Sequence, residues 1–220
     1  MSANTLDAKD LFQAAYENRY TWDENFPGYT ADVTFRENDR TFTGQVRVNQ
    51  DMSTEVFNIE DQEAAAQVKS QLWETAIHRV RRSFEQVHGQ NTFTYGNTDE
   101  SGAVEILMGG KSEGDRYKLR DNEVCHVHRH IHGVVVTIDT FSSHETGEGY
   151  LSHRYDSIYH DPKTGELKGG KTDFEDNYEQ VGDYYILTSR VITGEGNGET
   201  VTKEFGFSNV KLLQPAMAEV

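Results

Sequence analysis

The sequence predicts an α+β fold that is mostly antiparallel β. The expected architecture is a strongly curved, half-open barrel of about ten strands, with a short N-terminal helix and one long helix (about 61–88) packed on the concave side. Three observations carry this. Short segments of alternating apolar and polar residues recur along the 220-residue chain, separated by turn-forming residues. Phe, Trp and Tyr make up 11% of the chain and proline occurs only three times, a balance that suits ladder-forming strands. A sheet that wide leaves apolar surface uncovered unless it bends around something, and the long helix is the available plug.

A first helix is expected from Thr5 or Asp7 to about Arg19, because Leu11, Phe12, Ala15 and Tyr16 recur at helical spacing behind Asp7 as a cap. A hairpin follows: Tyr29, Ala31, Val33 and Phe35 alternate with polar residues, Glu37 to Arg40 form the turn, and Phe42, Gly44, Val46 and Val48 alternate in return. A third strand is expected around Thr54–Ile59. The long helix rests on the stripe Ala65, Val68, Leu72, Ala76, Ile77, Val80, Phe84 and Val87, with Asp61 to cap it and Gly89 to stop it. Further strands are expected at Thr92–Tyr95, Val104–Met108, Tyr117–Leu119, Val124–Phe141, Tyr150–Tyr159, Tyr184–Thr193 and Val201–Phe207. With no repeat and no linker, residues 1–220 read as a single domain.

The chain carries 21 Lys and Arg against 37 Asp and Glu, a net charge of −16. Such a surface repels phosphate backbones, so no nucleic acid partner is expected. No apolar run reaches the length of a transmembrane segment, Met1 to Asp10 contains no signal-like apolar core, and the single Cys125 cannot form an internal disulfide. A cytoplasmic protein is the expectation. Acid is concentrated between residues 139 and 183, where eleven Asp and Glu face four Lys and Arg; this reads mainly as a solvated face and its loops.

The most unusual segment is Cys125 to Gly133, with His126, His128, His130 and His132 at every second position. On a strand these share one face about 7 Å apart, and an i, i+2 pair of imidazoles can ligate a divalent metal such as zinc with help from elsewhere. The direction of that face turns on Gly133. A continuous strand gives the histidines the parity of Val134, Val136 and Ile138, and so the core; a bulge at Gly133 turns them to water. Metal patterns known from other folds do not fit: no glutamate follows the His-x-His, and His130 and Ile131 stand where a hydrolase motif has Asp and His. Weaker candidates are Cys125 beside His126, the Asp156, His160 and Asp161 group, the Arg79, Arg81 and Arg82 cluster, and the glycines Gly194, Gly196 and Gly198, which open no helix.

Several stretches carry a resemblance. They are Ala15-Tyr16-Glu17-Asn18-Arg19-Tyr20-Thr21-Trp22, Phe26-Pro27-Gly28-Tyr29, Ile77-His78-Arg79-Val80-Arg81-Arg82 and His128-Arg129-His130-Ile131-His132-Gly133. Gly147-Glu148-Gly149-Tyr150-Leu151-Ser152 and Tyr155-Asp156-Ser157-Ile158-Tyr159-His160-Asp161-Pro162 belong with them. Together they resemble an uncharacterised, domain-of-unknown-function family of cyanobacteria and plant plastids, over nearly the whole chain. The resemblance implies a photosynthetic lineage, a stromal setting in plastid relatives, and no catalytic residue. More distantly, the order of elements is similar to the half-barrels of bacterial lipoprotein carriers, which bind acyl chains on an aromatic-lined concave side.

The functional expectation is a non-enzymatic binding protein that holds an apolar small molecule (lipid, pigment or isoprenoid-like) in the concavity of the sheet. One alternative is an acidic scaffold or assembly partner of the photosynthetic apparatus, with a protein partner on the acidic face. Another is a metal-dependent enzyme using His126 to His132.

Overall fold

The computed structural model describes residues 7–196 and 198–214. Thr5, Asn197 and Pro215 lie outside the described residues. In chain order the elements are α1 Ala8–Glu17, β1 Gly28–Glu37, β2 Arg40–Asn49, β3 Thr54–Phe57, α2 Gln62–Arg79 and α3 Phe84–His88. They continue with β4 Asn91–Thr98, β5 Val104–Gly110, β6 Arg116–Arg120, β7 Glu123–Ile131, β8 Val134–Glu145 and β9 Tyr150–His160. The last are β10 Thr172–Val181, β11 Tyr184–Gly196 and β12 Glu199–Leu212. The class is therefore α+β with antiparallel pairing, as the alternation predicts. The chain divides into two compact units, Met1–Tyr20 with Arg82–Asp173, and Thr21–Arg81 with Phe174–Val220.

The first unit orders its strands β9-β8-β7-β6-β5-β4. Helix α1 starts where Asp7 accepts the Asp10 N–H at 2.9 Å, and it buries Ala8, Phe12, Ala15 and Tyr16. Those side chains join Phe84, Ile106, Met108, Tyr117 and Leu119 in one core, with Phe93, Val104, Val124 and Val127 packed at its margin. Phe12 is the hub, its ring 4.8 Å from Tyr117, 5.1 Å from His88 and 5.5 Å from Phe93. The end of α1 is pinned to β9: the Tyr150 N–H donates to Asn18 O at 3.0 Å and the Tyr20 N–H to Tyr150 O at 2.9 Å. That crossing requires Gly149, where φ is +137° and a Cβ would sit 2.4 Å from Asn18 O.

The second unit orders its strands β3-β2-β1-β12-β11-β10. Register pairs Val33 with Phe207 and Phe35 with Phe205, so these rings share a face, and the Phe35 and Phe205 rings stack at 4.5 Å. Helix α2 buries Ala64, Val68, Leu72, Thr75 and Ala76 and packs on β3 and β2. Polar contacts complete its seat. Lys203 on β12 reaches Gln67 at 2.7 Å, Arg190 on β11 reaches Gln71 at 2.9 Å and Glu74 at 3.3 Å, and Arg79 reaches the Tyr178 hydroxyl on β10 at 3.1 Å.

Three expectations are corrected. The helix expected over 61–88 is two helices, α2 and α3, lying in different units. Trp22 donates its N–H to Arg79 O at 2.8 Å, taking the carbonyl that the next helical turn would use. Val80 then extends (ψ 122°), and Ser83 starts α3 in a capping box with Gln86. The strand expected from Val124 to Phe141 is a hairpin, because His132 (φ 49°) and Gly133 (φ 78°) form a two-residue turn that pairs Ile131 with Val134. Strand β10 lies within the acidic stretch that reads mainly as a solvated face and its loops, in a part for which the alternation predicts no strand.

Candidate functional site

The first unit's sheet has two unlike faces, and register assigns residues to each. Val127 packs against the α1 core and pairs with Ile138; Arg129 pairs with Val136, Ile131 with Val134, and Val136 with Tyr159. All of these lie on the α1 face. On that same face Ile106 is 0% and Leu119 3% exposed, whereas Ile131, Val134 and Ile138 are half-buried and Tyr159 is 41% exposed. Helix α1 packs on β4 and β7. Beyond it, β7, β8 and β9 carry a strip of apolar side chains in partial contact with water. Arg129 crosses the strip, its Nε 3.5 Å from Asp115 Oδ2.

At the covered end of this face His88 is 6% exposed, ringed by Phe12, Tyr16, Phe84 and Phe93, with Asn91 Nδ2 3.2 Å from its Nδ1. Burial, and then the guanidinium groups of Arg129 and Arg19, push its pKa down to about 4. The imidazole is neutral at pH 7 and serves as a fifth ring in the cluster. In the sequence His88 stands at the end of the expected helix; its place three residues before the strand Asn91–Thr98, which carries Phe93 and Tyr95, is the one signal the sequence offers.

The histidine row lies on the opposite face. Val127 points to the core, so His126 and His128 point away, which is the outcome expected of a bulge but produced by a hairpin. His126 Nδ1 is 2.6 Å from Asp139 Oδ1, His128 Nδ1 is 3.1 Å from Thr137 Oγ1, and His130 Nδ1 is 3.2 Å from Asp115 Oδ1. Burial, followed by Arg116 and the flanking histidines, lowers the pKa of His128. His132 is separated from the row by its place in the turn. Among the described residues no group of three His, Cys, Asp or Glu side chains is placed to hold a metal ion.

The weaker candidates are each engaged elsewhere. Cys125 donates its thiol to Lys118 O at 3.4 Å, and burial raises its pKa, which suppresses thiolate chemistry. Arg79 and Arg81 part to reach Tyr178 and Thr21. Asp161 caps its own turn through the Lys163 and Thr164 N–H groups. Gly194 and Gly196 end β11, with a strand rather than a helix after them. Four of the eleven acids in the stretch 139–183 are held by Lys or Arg: Lys171 holds Asp156 and Asp173, Lys168 holds Asp161, and Arg190, beyond the stretch, holds Asp176. No helix among the described residues is long and apolar enough to cross a membrane.

A family model described as "protein of unknown function (DUF3386)" matches residues 3–213. The chain belongs to the DUF3386 family. This agrees with the uncharacterised family that the sequence motifs resemble. No curated protein matches this DUF3386 chain. Among solved structures, a candidate outer membrane lipoprotein-sorting protein domain from Vibrio parahaemolyticus is similar at 10% identity. That match covers 96% of this chain and 94% of the other, with a TM-score of 0.43. A chain in the Pseudomonas aeruginosa MucA/MucB complex matches at 10% identity over 93% and 98%, with a TM-score of 0.27. A chain of MucB in complex with MucA(peri) matches at 11% identity over 94% and 99%, with a TM-score of 0.24.

Proposed function

We propose that this protein is a non-enzymatic binding protein whose ligand is an apolar molecule of the lipid, pigment or isoprenoid-like kind, seated along Ile131, Val134, Ile138 and Tyr159. One observation carries the reading. A single sheet face passes from fully buried under α1 to a strip on β7, β8 and β9 where Ile131, Val134 and Ile138 are half-buried and Tyr159 is exposed around buried Val136, with Arg129 and Ser157 as its polar interruptions. Apolar side chains on a strand face gain most when a second layer removes them from water, at roughly 25 cal/mol per Å². An acyl or polyene chain laid across the strip supplies that layer.

The test is a titration of delipidated protein with cis-parinaric acid, read by its fluorescence. Ile138→Glu places a carboxylate in the strip and is expected to weaken binding at least tenfold. Leu107→Glu serves as the control, because Leu107 pairs with Arg116 and Arg116 with His128, on the far face; binding there is expected to stay unchanged. Absence of binding by the unsubstituted protein, or equal loss in both variants, removes the proposal.

A further inference from the structure

On the sheet face opposite α1, the histidines of β7 are held in one repeated way. His126 stands opposite Asp139 and His128 opposite Thr137, and in each pair Nδ1 meets the partner's side-chain oxygen, at 2.6 and 3.1 Å. His130 turns its Nδ1 to Asp115 Oδ1 at 3.2 Å, and the same oxygen accepts the His130 backbone N–H at 2.8 Å. A carboxylate only accepts, so a neutral His130 ring carries its proton on Nδ1 and keeps the lone pair on Nε2. The Thr137 hydroxyl can accept from His128 in the same way. Metal-ligating imidazoles are oriented like this, one nitrogen donating to oxygen and the other left basic for the ion. The rings of His128 and His130 lie 5.8 Å apart between centroids. Two imidazoles sharing one tetrahedral ion, each Nε2 about 2.1 Å from it, have centroids roughly 5.3 Å apart, so a small side-chain rotation closes the difference.

We propose that His128 and His130 form a two-histidine site for a divalent transition metal ion of the zinc class, ligated through both Nε2 atoms and completed by water. Thr137 and Asp115 orient the two rings. Burial, and then Arg116 across the strand pair, lowers the pKa of His128 and keeps that imidazole neutral, as a ligand must be. Asp115, its side chain 6% exposed, sets a negative charge beside His130 against the positive charge of Arg116. The His130 side chain is 48% exposed, so water reaches the remaining coordination positions. Among the described residues no third His, Cys, Asp or Glu joins the pair. The site therefore exchanges its ion with solution, unlike the closed four-ligand sites that hold folds together. It lies on the face opposite the apolar strip and does not depend on it.

Zinc chloride titrated into metal-free protein tests this, read by calorimetry and by long-range proton–nitrogen NMR spectra of the imidazoles. Before zinc is added, the spectra are expected to show the Nδ1–H tautomer for both His128 and His130. Zinc is then expected to bind in the micromolar range and to shift the Nε2 resonances of these two rings together. His128→Ala and His130→Ala are each expected to weaken binding at least tenfold. His132→Asn, in the turn that ends the strand, is expected to leave it unchanged. Thr137→Val is expected to weaken binding severalfold and Thr137→Ser to restore it, with far-UV circular dichroism checking that every variant folds. Absence of zinc binding, the Nε2–H tautomer in the metal-free rings, shifts that miss His128 and His130, or affinity indifferent to their substitution each overturns the proposal.

Discussion

Arg190 on β11 grips Asp176 on β10 at two points, Nε to Oδ1 at 2.8 Å and Nη2 to Oδ2 at 2.7 Å, with side-chain exposures of 4% and 2%. The remaining guanidinium nitrogen turns to Gln71 and Glu74 on α2. One arginine thus satisfies a buried carboxylate and anchors the helix above it. Removing one partner strands a buried charge, so Asp176→Asn is expected to cost about 3–5 kcal/mol in urea unfolding. The double variant Arg190→Met with Asp176→Leu is expected to recover most of that loss. If the single and double variants are equally unstable, the pair is not what holds the unit.

His88 gives the first unit a defined response to acid. Its pKa is about 4 in the folded protein, against an ordinary 6.5. Above pH 6.5 the group is neutral in both states and contributes no pH dependence. Below 6.5 the unfolded chain takes up the proton first, so stability falls as pH drops and levels off below about 4. The full loss is about 3 kcal/mol at 1.36 kcal/mol per pH unit. His88→Phe keeps a ring in the cluster and is expected to flatten this part of the profile. Identical slopes for the two proteins between pH 6.5 and 4 would refute the assignment.

The turn at His132 and Gly133 makes a further prediction, because both residues have positive φ. A two-residue hairpin of this type prefers Asn-Gly. His132→Asn is expected to raise stability by a few tenths of a kcal/mol. Gly133→Val, a β-branched residue at φ 78°, is expected to lower it by about 1–2 kcal/mol. Thermal unfolding measures both. A loss of stability in His132→Asn would mean that the imidazole has a role beyond the turn.

Much of this fold was legible because its strands alternate cleanly. The hairpin of β1 and β2 is read directly from Tyr29 to Val48, and α1 from Phe12, Ala15 and Tyr16 behind Asp7. The misses have physical causes. Strand β10 holds four acids and no base, so its composition reads as loop; what allows a strand is Arg190, distant in sequence, neutralising Asp176. The break after Arg79 depends on a carbonyl taken by Trp22, although the Ser83–Gln86 capping box was visible in the sequence. His132-Gly133 hid inside a β-rich run because histidine is an unusual first residue for such a turn. The candidate strip was not legible at all: Val127, Ile138 and Tyr159 belong to three strands, and only register puts them on one face.

The most direct test of the binding account is photo-crosslinking of the delipidated protein with a diazirine-bearing fatty acid, followed by peptide mapping. The account predicts adducts concentrated on the segments that carry Ile131, Val134, Ile138 and Tyr159, displaced by excess unlabelled fatty acid and lost in Ile138→Glu. Adducts scattered over both units, or a pattern that excess unlabelled fatty acid leaves unchanged, would contradict it.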